Sequence, residues 1–85
     1  MARTPEAKAR EKANVANAIR NLAAERFTKC RTVTTNGKFF IEVWNEAIIT
    51  GALIHLIITK LPAGWNFYMT ADDDRPLIRI YREEE

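Results

Sequence analysis

The stretch Asn36-Gly37-Lys38-Phe39-Phe40-Ile41-Glu42-Val43-Trp44 joins a turn signal to a strand with bulky residues on both sides. Asn-Gly tolerates positive φ at both central positions of a tight turn, so it predicts a hairpin with arms 30–35 and 38–44. Side chains alternate between faces along such an arm. Phe39, Ile41 and Val43 therefore share one face, while Phe40, Glu42 and Trp44 share the other. A strand resting on one core should be polar on its outer side. Here that side is aromatic around a single carboxylate.

N-terminal to the hairpin, Thr4-Pro5-Glu6 combines a capping hydroxyl, a proline suited to the first helical position and an acid that complements the helix dipole. Val15, Ile19, Leu22, Ala23 and Phe27 then recur at three and four residues and predict a helix over 5–28. Lys8, Arg10 and Lys12 lack large apolar partners and are expected to project past the domain, and Asn14, Asn17 and Asn21 continue the outer face. Near the C-terminus, 65–70 and 77–82 predict a second hairpin across the loop 71–76. Pro76 belongs at its mouth because it has no N–H for the ladder.

Segment 45–61 reads in two ways. Asn45-Glu46 can cap a helix and Pro62-Ala63-Gly64 can stop it after about four turns. Against this, Ile48, Ile49, Thr50, Ile54, Ile57, Ile58 and Thr59 are β-branched, and Thr50-Gly51 could turn a third hairpin. Length and the lack of alternation favour the helix. On it Gly51, His55 and Thr59 form a narrow polar stripe.

The resulting order is αββαββ. It predicts an α+β two-layer sandwich with a four-stranded antiparallel sheet and both helices on one face. With 77–82 inserted beside 38–44, the arrangement resembles a circularly permuted ferredoxin-like sandwich. A hairpin at 45–61 would give one helix on a longer all-antiparallel meander instead. In the sandwich Phe39, Ile41, Val43, Phe67, Met69, Ile78 and Ile80 face the helices. The open face then gathers Thr32, Thr34, Phe40, Glu42, Trp44, Asn66, Tyr68, Leu77, Arg79 and Tyr81. Four aromatics in one plane suggest a contact surface. Its expected residues are Phe40, Glu42, Trp44, Tyr68, Arg79 and Tyr81, with Trp44, Tyr68 and Tyr81 as anchors. The occupant would be a protein partner or a second copy of the chain in a homodimer.

Composition narrows the classes. Eighty-five residues make one domain, 1–85, and 47% hydrophobic with 28% charged residues is a folding composition. Cys30 is the only cysteine, so no internal disulfide forms, and a cytoplasmic setting is the default expectation. The apolar run 47–58 is too short to span a bilayer and contains His55, and the N-terminus lacks a signal-peptide core, so no membrane association is expected. The chain has no Ser, which excludes a serine nucleophile, and no Gln; with tidy turn signals this also fits a designed scaffold without a natural ligand. The formal charge of +2 divides into +6 over residues 1–38 (nine Lys/Arg, three Glu) and −4 over 39–85 (four Lys/Arg, eight Asp/Glu). That split suits an acidic partner or attraction between the two ends.

Nucleic acid is the alternative partner. Gly37-Lys38-Phe39-Phe40-Ile41-Glu42-Val43 resembles the basic-aromatic strand signature of the RNA recognition motif family, without the glycine expected between the basic residue and the first aromatic, and in a permuted element order. The resemblance implies that Phe40, Trp44 and Tyr81 stack bases while Lys38 and Arg79 meet phosphates. Glu42 opposes a polyanion there. A second basic surface would use Lys8, Arg10, Lys12 and Arg20, flanked by Arg3 and Arg26, although Glu6, Glu11 and Glu25 interrupt it. His55 and Cys30 are too few soft ligands for zinc, and Asp72-Asp73-Asp74 lacks the EF-hand spacing. No metal, cofactor or small-molecule substrate is expected, and His55 should be partly buried and hydrogen-bonded. Glu42 and His55 lie on different layers with no group to orient either, so the expectation is a non-enzymatic binding module.

Overall fold

The computed structural model describes residues 4–26, 28–45, 49–72 and 74–83. They form α1 (Pro5–Glu25), β1 (Lys29–Thr35), β2 (Lys38–Trp44), α2 (Gly51–Lys60), β3 (Trp65–Asp72) and β4 (Arg75–Arg82). The strands make one antiparallel sheet in the order β1-β2-β4-β3. Thus β4 enters beside β2, as the element order predicts.

Thr4 starts α1 by accepting the Ala7 N–H at 3.1 Å, with Pro5 next and Glu6 in the first turn. The helix stops at Glu25 rather than 28. Both the N–H and the hydroxyl of Thr28 donate to the Ala23 carbonyl, at 2.9 and 3.1 Å, and turn the chain back. Val15, Ala16, Ile19, Leu22 and Ala23 are its buried stripe, and Phe27 lies outside the described residues.

The second helix begins at Gly51, well after the Asn45-Glu46 cap expected from sequence; Glu46 lies outside the described residues. Thr50 is extended and its hydroxyl accepts the Leu53 N–H at 3.2 Å. Starting there leaves β-branched Ile49 and Thr50 ahead of the helix, where their side-chain freedom is not restricted by a preceding turn. Thr50-Gly51 is therefore a helix start, not a hairpin turn, and the meander is excluded. The stripe of Gly51, His55 and Thr59 is exposed. His55 consequently faces outward, contrary to its expected partial burial.

Both hairpins form. Asn36 and Gly37 take φ of 53° and 77°, the left-handed pair that Asn-Gly permits. The C-terminal hairpin is longer than 65–70 and 77–82, pairing continuously from Trp65 with Arg82 to Asp72 with Arg75. Pro76 joins β4 because the β2 ladder has already ended at Trp44 opposite Leu77. Its missing N–H leaves no bond unmade on that side.

Ile41 pairs with Ile80 and Val43 with Ile78, all essentially unexposed. They join one cluster with Val15, Ala16, Ile19 and Leu22 of α1, Leu53 and Ile57 of α2, and Trp65. Both helices thus cover the same side of the sheet. Each such aliphatic side chain contributes about 1.5–3 kcal/mol by burial. The first turns of α1 are tied down as well. Glu11 accepts from the Trp65 indole at 2.8 Å and pairs with Arg82 at 3.1 Å, and Lys12 sits 5.7 Å over the Phe39 ring. Only Lys8 and Arg10 of that basic group are exposed; Lys12 is half-buried, against the expectation that all three project. Gly64 combines φ +89° with an approach to the Arg82 guanidinium that would put a Cβ at 3.3 Å from it.

Ile41→Ala should lower stability by about 3–4 kcal/mol through lost transfer energy and a cavity, read as a fall in urea midpoint at unchanged slope. Arg10→Ala should change it by less than about 0.5 kcal/mol.

Candidate functional site

Residues directly opposite one another in an antiparallel ladder share a face, so the register defines the uncovered side of the sheet. Arg31, Glu42, Arg79 and Tyr68 lie in one row across β1, β2, β4 and β3. Lys29, Trp44, Leu77 and Thr70 form the next row. On the other side of Glu42 lie Val33 opposite Phe40, and Tyr81 opposite Asn66. Thr32 and Thr34, expected on this face, point to the helix side, because they pair with Ile41 and Phe39. The open face carries Arg31 and Val33 in their place.

Glu42 is only 1% exposed although no element covers it. Its Oε1 accepts from Arg31 Nε and its Oε2 from Arg79 Nε, each at 2.7 Å. Burial acts to raise the Glu42 pKa, but the hydrogen bonds and charges of the two arginines outweigh it and hold the carboxyl below its ordinary range. Arg79 also donates to the Tyr68 hydroxyl at 3.3 Å; that bond and Glu42 push its own pKa up. Glu42, expected as a contact residue, thus acts by positioning two arginines that do reach the surface.

The rings are threaded with these cations. Arg31 lies 5.0 Å from the Trp44 ring, Arg79 lies 5.3 Å from Phe40, and Lys38 lies 4.6 Å from Tyr81 and 5.7 Å from Phe40. Tyr81 packs against Tyr68 and Phe40 at centroid distances of 5.7 and 6.3 Å, tilted by 59° in each pair. Phe40, Trp44 and Tyr81 are half-buried, and Tyr68 is exposed. At one end Arg31, Trp44, Asp72, Arg75, Pro76 and Leu77 line a cavity of about 50 Å³.

All six expected contact residues therefore lie on one face. Of the β1 residues absent from the expected face, Lys29, Arg31 and Val33, Arg31 is the one that grips Glu42. Its signal was present: counting back from Asn36-Gly37 with Thr35 opposite Lys38 puts Arg31 opposite Glu42. The basic helix residues are less unified. Lys12 and Arg20 border one groove with Thr32 and Phe39, whereas the helical period turns Arg10 to the opposite side of α1.

The face offers little for chemistry. Glu42 is held ionised between guanidiniums and is a poor proton donor near neutral pH. Burial pushes the Cys30 thiol upward, Arg20 opposing, so this half-buried side chain is a weak nucleophile. Among the described residues no three His, Cys, Asp or Glu side chains converge on a metal position, and no helix is long and apolar enough to cross a membrane. Comparison with known protein families, curated proteins and solved structures finds no match.

Glu42→Gln should cost about 2 kcal/mol at neutral pH, less than for a fully buried pair because both arginines keep water contact. Since the folded pKa is depressed, the wild-type advantage is present above the ordinary value of 4.5 and is lost as pH falls through the lower folded value. Urea midpoints of the two proteins should therefore converge in acid.

Proposed function

We propose that this chain is a non-enzymatic binding module that takes a protein partner on the open face of its sheet. The observation that carries this reading is the array of Phe40, Trp44, Tyr68 and Tyr81 on one uncovered face, interleaved with Arg31, Arg79 and Lys38 around Glu42. Trp, Tyr and Arg dominate the energetics of protein interfaces because they bury large area at modest entropic cost and keep a polar tip for orientation. The face is also pre-organised. Its arginines are fixed by Glu42 and its rings by the arginines, so little freedom remains to be lost on binding.

Single-stranded nucleic acid is the second reading. In its favour, two arginines more than neutralise Glu42, so the acid is no barrier to a phosphate chain. Against it, cations already sit over Trp44, Phe40 and Tyr81, where bases would stack, and neighbouring rings are tilted rather than arranged as a platform.

Selection of peptides from a displayed library tests the first reading. Those enriched on the wild type should bind Trp44→Ala and Tyr81→Ala about tenfold more weakly, while Arg10→Ala binds them equally. Selected peptides indifferent to both ring substitutions would refute it. Tight binding of an oligothymidylate that weakens steeply with salt and requires Trp44 would establish the second reading in its place.

A further inference from the structure

The sheet has two edges, and only one is guarded. An edge strand presents unpaired backbone groups, which natural sheets protect with charges, proline or bulges. On β1, the strand itself carries Lys29 and Arg31. On β3, the run Trp65-Asn66-Phe67-Tyr68-Met69-Thr70-Ala71 holds no charge and no proline, and its register with β4 runs unbroken over eight pairs, without a bulge. The Phe67 N–H, lacking a neighbouring strand, takes the Asn66 side-chain oxygen at 2.8 Å. That local bond is one an incoming strand would replace.

Two exposed apolar residues lie on the same strand. Among the described residues, the large hydrophobics with most exposure are Ile58 at 49%, Tyr68 at 40% and Met69 at 50%. Tyr68 and Met69 are consecutive on β3 and flank the edge on opposite faces of the sheet. Ile58 lies on the flank of α2 turned away from α1, since Thr59 and Lys60 border the groove shared with Asn14, Val15 and Ala18.

We propose that β3 pairs antiparallel with β3 of a second copy, giving a two-fold dimer with one continuous eight-stranded sheet. A second copy fits because the run Trp65–Ala71 offers no charge for a charged partner to read, while a two-fold axis centred near Tyr68 brings these uncharged, β-forming residues against themselves and leaves Asp72 outside the pairing. A seven-residue edge runs about 23 Å, which with Tyr68 and Met69 makes a contact smaller than the roughly 800 Å² per partner of a standard interface and hence a dimer of modest affinity. The chain has 5640 Å² of surface. The helix layers stay on one side and both aromatic faces on the other, so the contact meets the binding face only at Tyr68 and leaves Phe40, Trp44 and Tyr81 clear.

Light scattering coupled to size exclusion, with circular dichroism as the folding control, tests the dimer. The wild type should be a dimer at about 100 µM, and Met69→Lys, at a half-exposed position, should be a folded monomer there, weakened at least tenfold. Trp44→Glu should remain dimeric. Amides of β3 should exchange more slowly in the wild type than in Met69→Lys. A wild-type monomer at about 500 µM, a dimer indifferent to Met69→Lys, one dissolved by Trp44→Glu, or open-ended oligomers would each overturn the proposal.

Discussion

The Glu42 carboxylate, gripped by arginines from two different strands, is the interaction on which the uncovered side of this protein depends. A carboxylate at the centre of a sheet face is costly to desolvate without partners. Arg31 and Arg79 supply one short charge-assisted bond each. Both can do so only because β2 lies between β1 and β4. The strand order and the buried acid are therefore mutually dependent: had β3 occupied the place of β4, Arg79 could not reach Glu42 from the other side. With its charge compensated, the acid also fixes two guanidiniums against Trp44 and Phe40, and so sets the form of the aromatic surface.

The two sides of the sheet are stabilised by different physics. On the helix side, interlocking aliphatics from α1, α2, β2 and β4 exclude water, and the indole and guanidinium of Trp65 and Arg82 converge on Glu11. On the open side, the charged row and its rings exclude water from one carboxylate and from Leu77, leaving the outer surfaces wet. Such a division suits a small chain, whose one core cannot cover both faces. It leaves an organised surface where a larger protein would place another layer.

Much of this was legible in the sequence for identifiable reasons. Asn36-Gly37 set the first hairpin, and the hydrophobic spacing of Val15, Ile19 and Leu22 set α1 and its buried stripe. The element order was enough to place β4 beside β2. The errors came where a local signal had a nearby competitor. Thr50 caps α2 in place of Asn45, its extended backbone and hydroxyl receiving the Leu53 N–H one turn on. Thr32 and Thr34, expected on the open face, take the other side because the turn register sets them opposite Ile41 and Phe39. The Glu11, Trp65 and Arg82 cluster was not legible at all, since Glu11 and Trp65 lie 54 positions apart and only packing of α1 over the sheet unites them.

Titration of the Glu42 side-chain carboxyl by carbon-13 NMR shows whether the two guanidiniums hold it, since a carboxylate so held is more acidic than an ordinary glutamate despite its burial. A midpoint below 4.5 is the predicted result. A midpoint at or above that value would mean that the arginines do not hold the acid, and that the uncovered face is not organised around it.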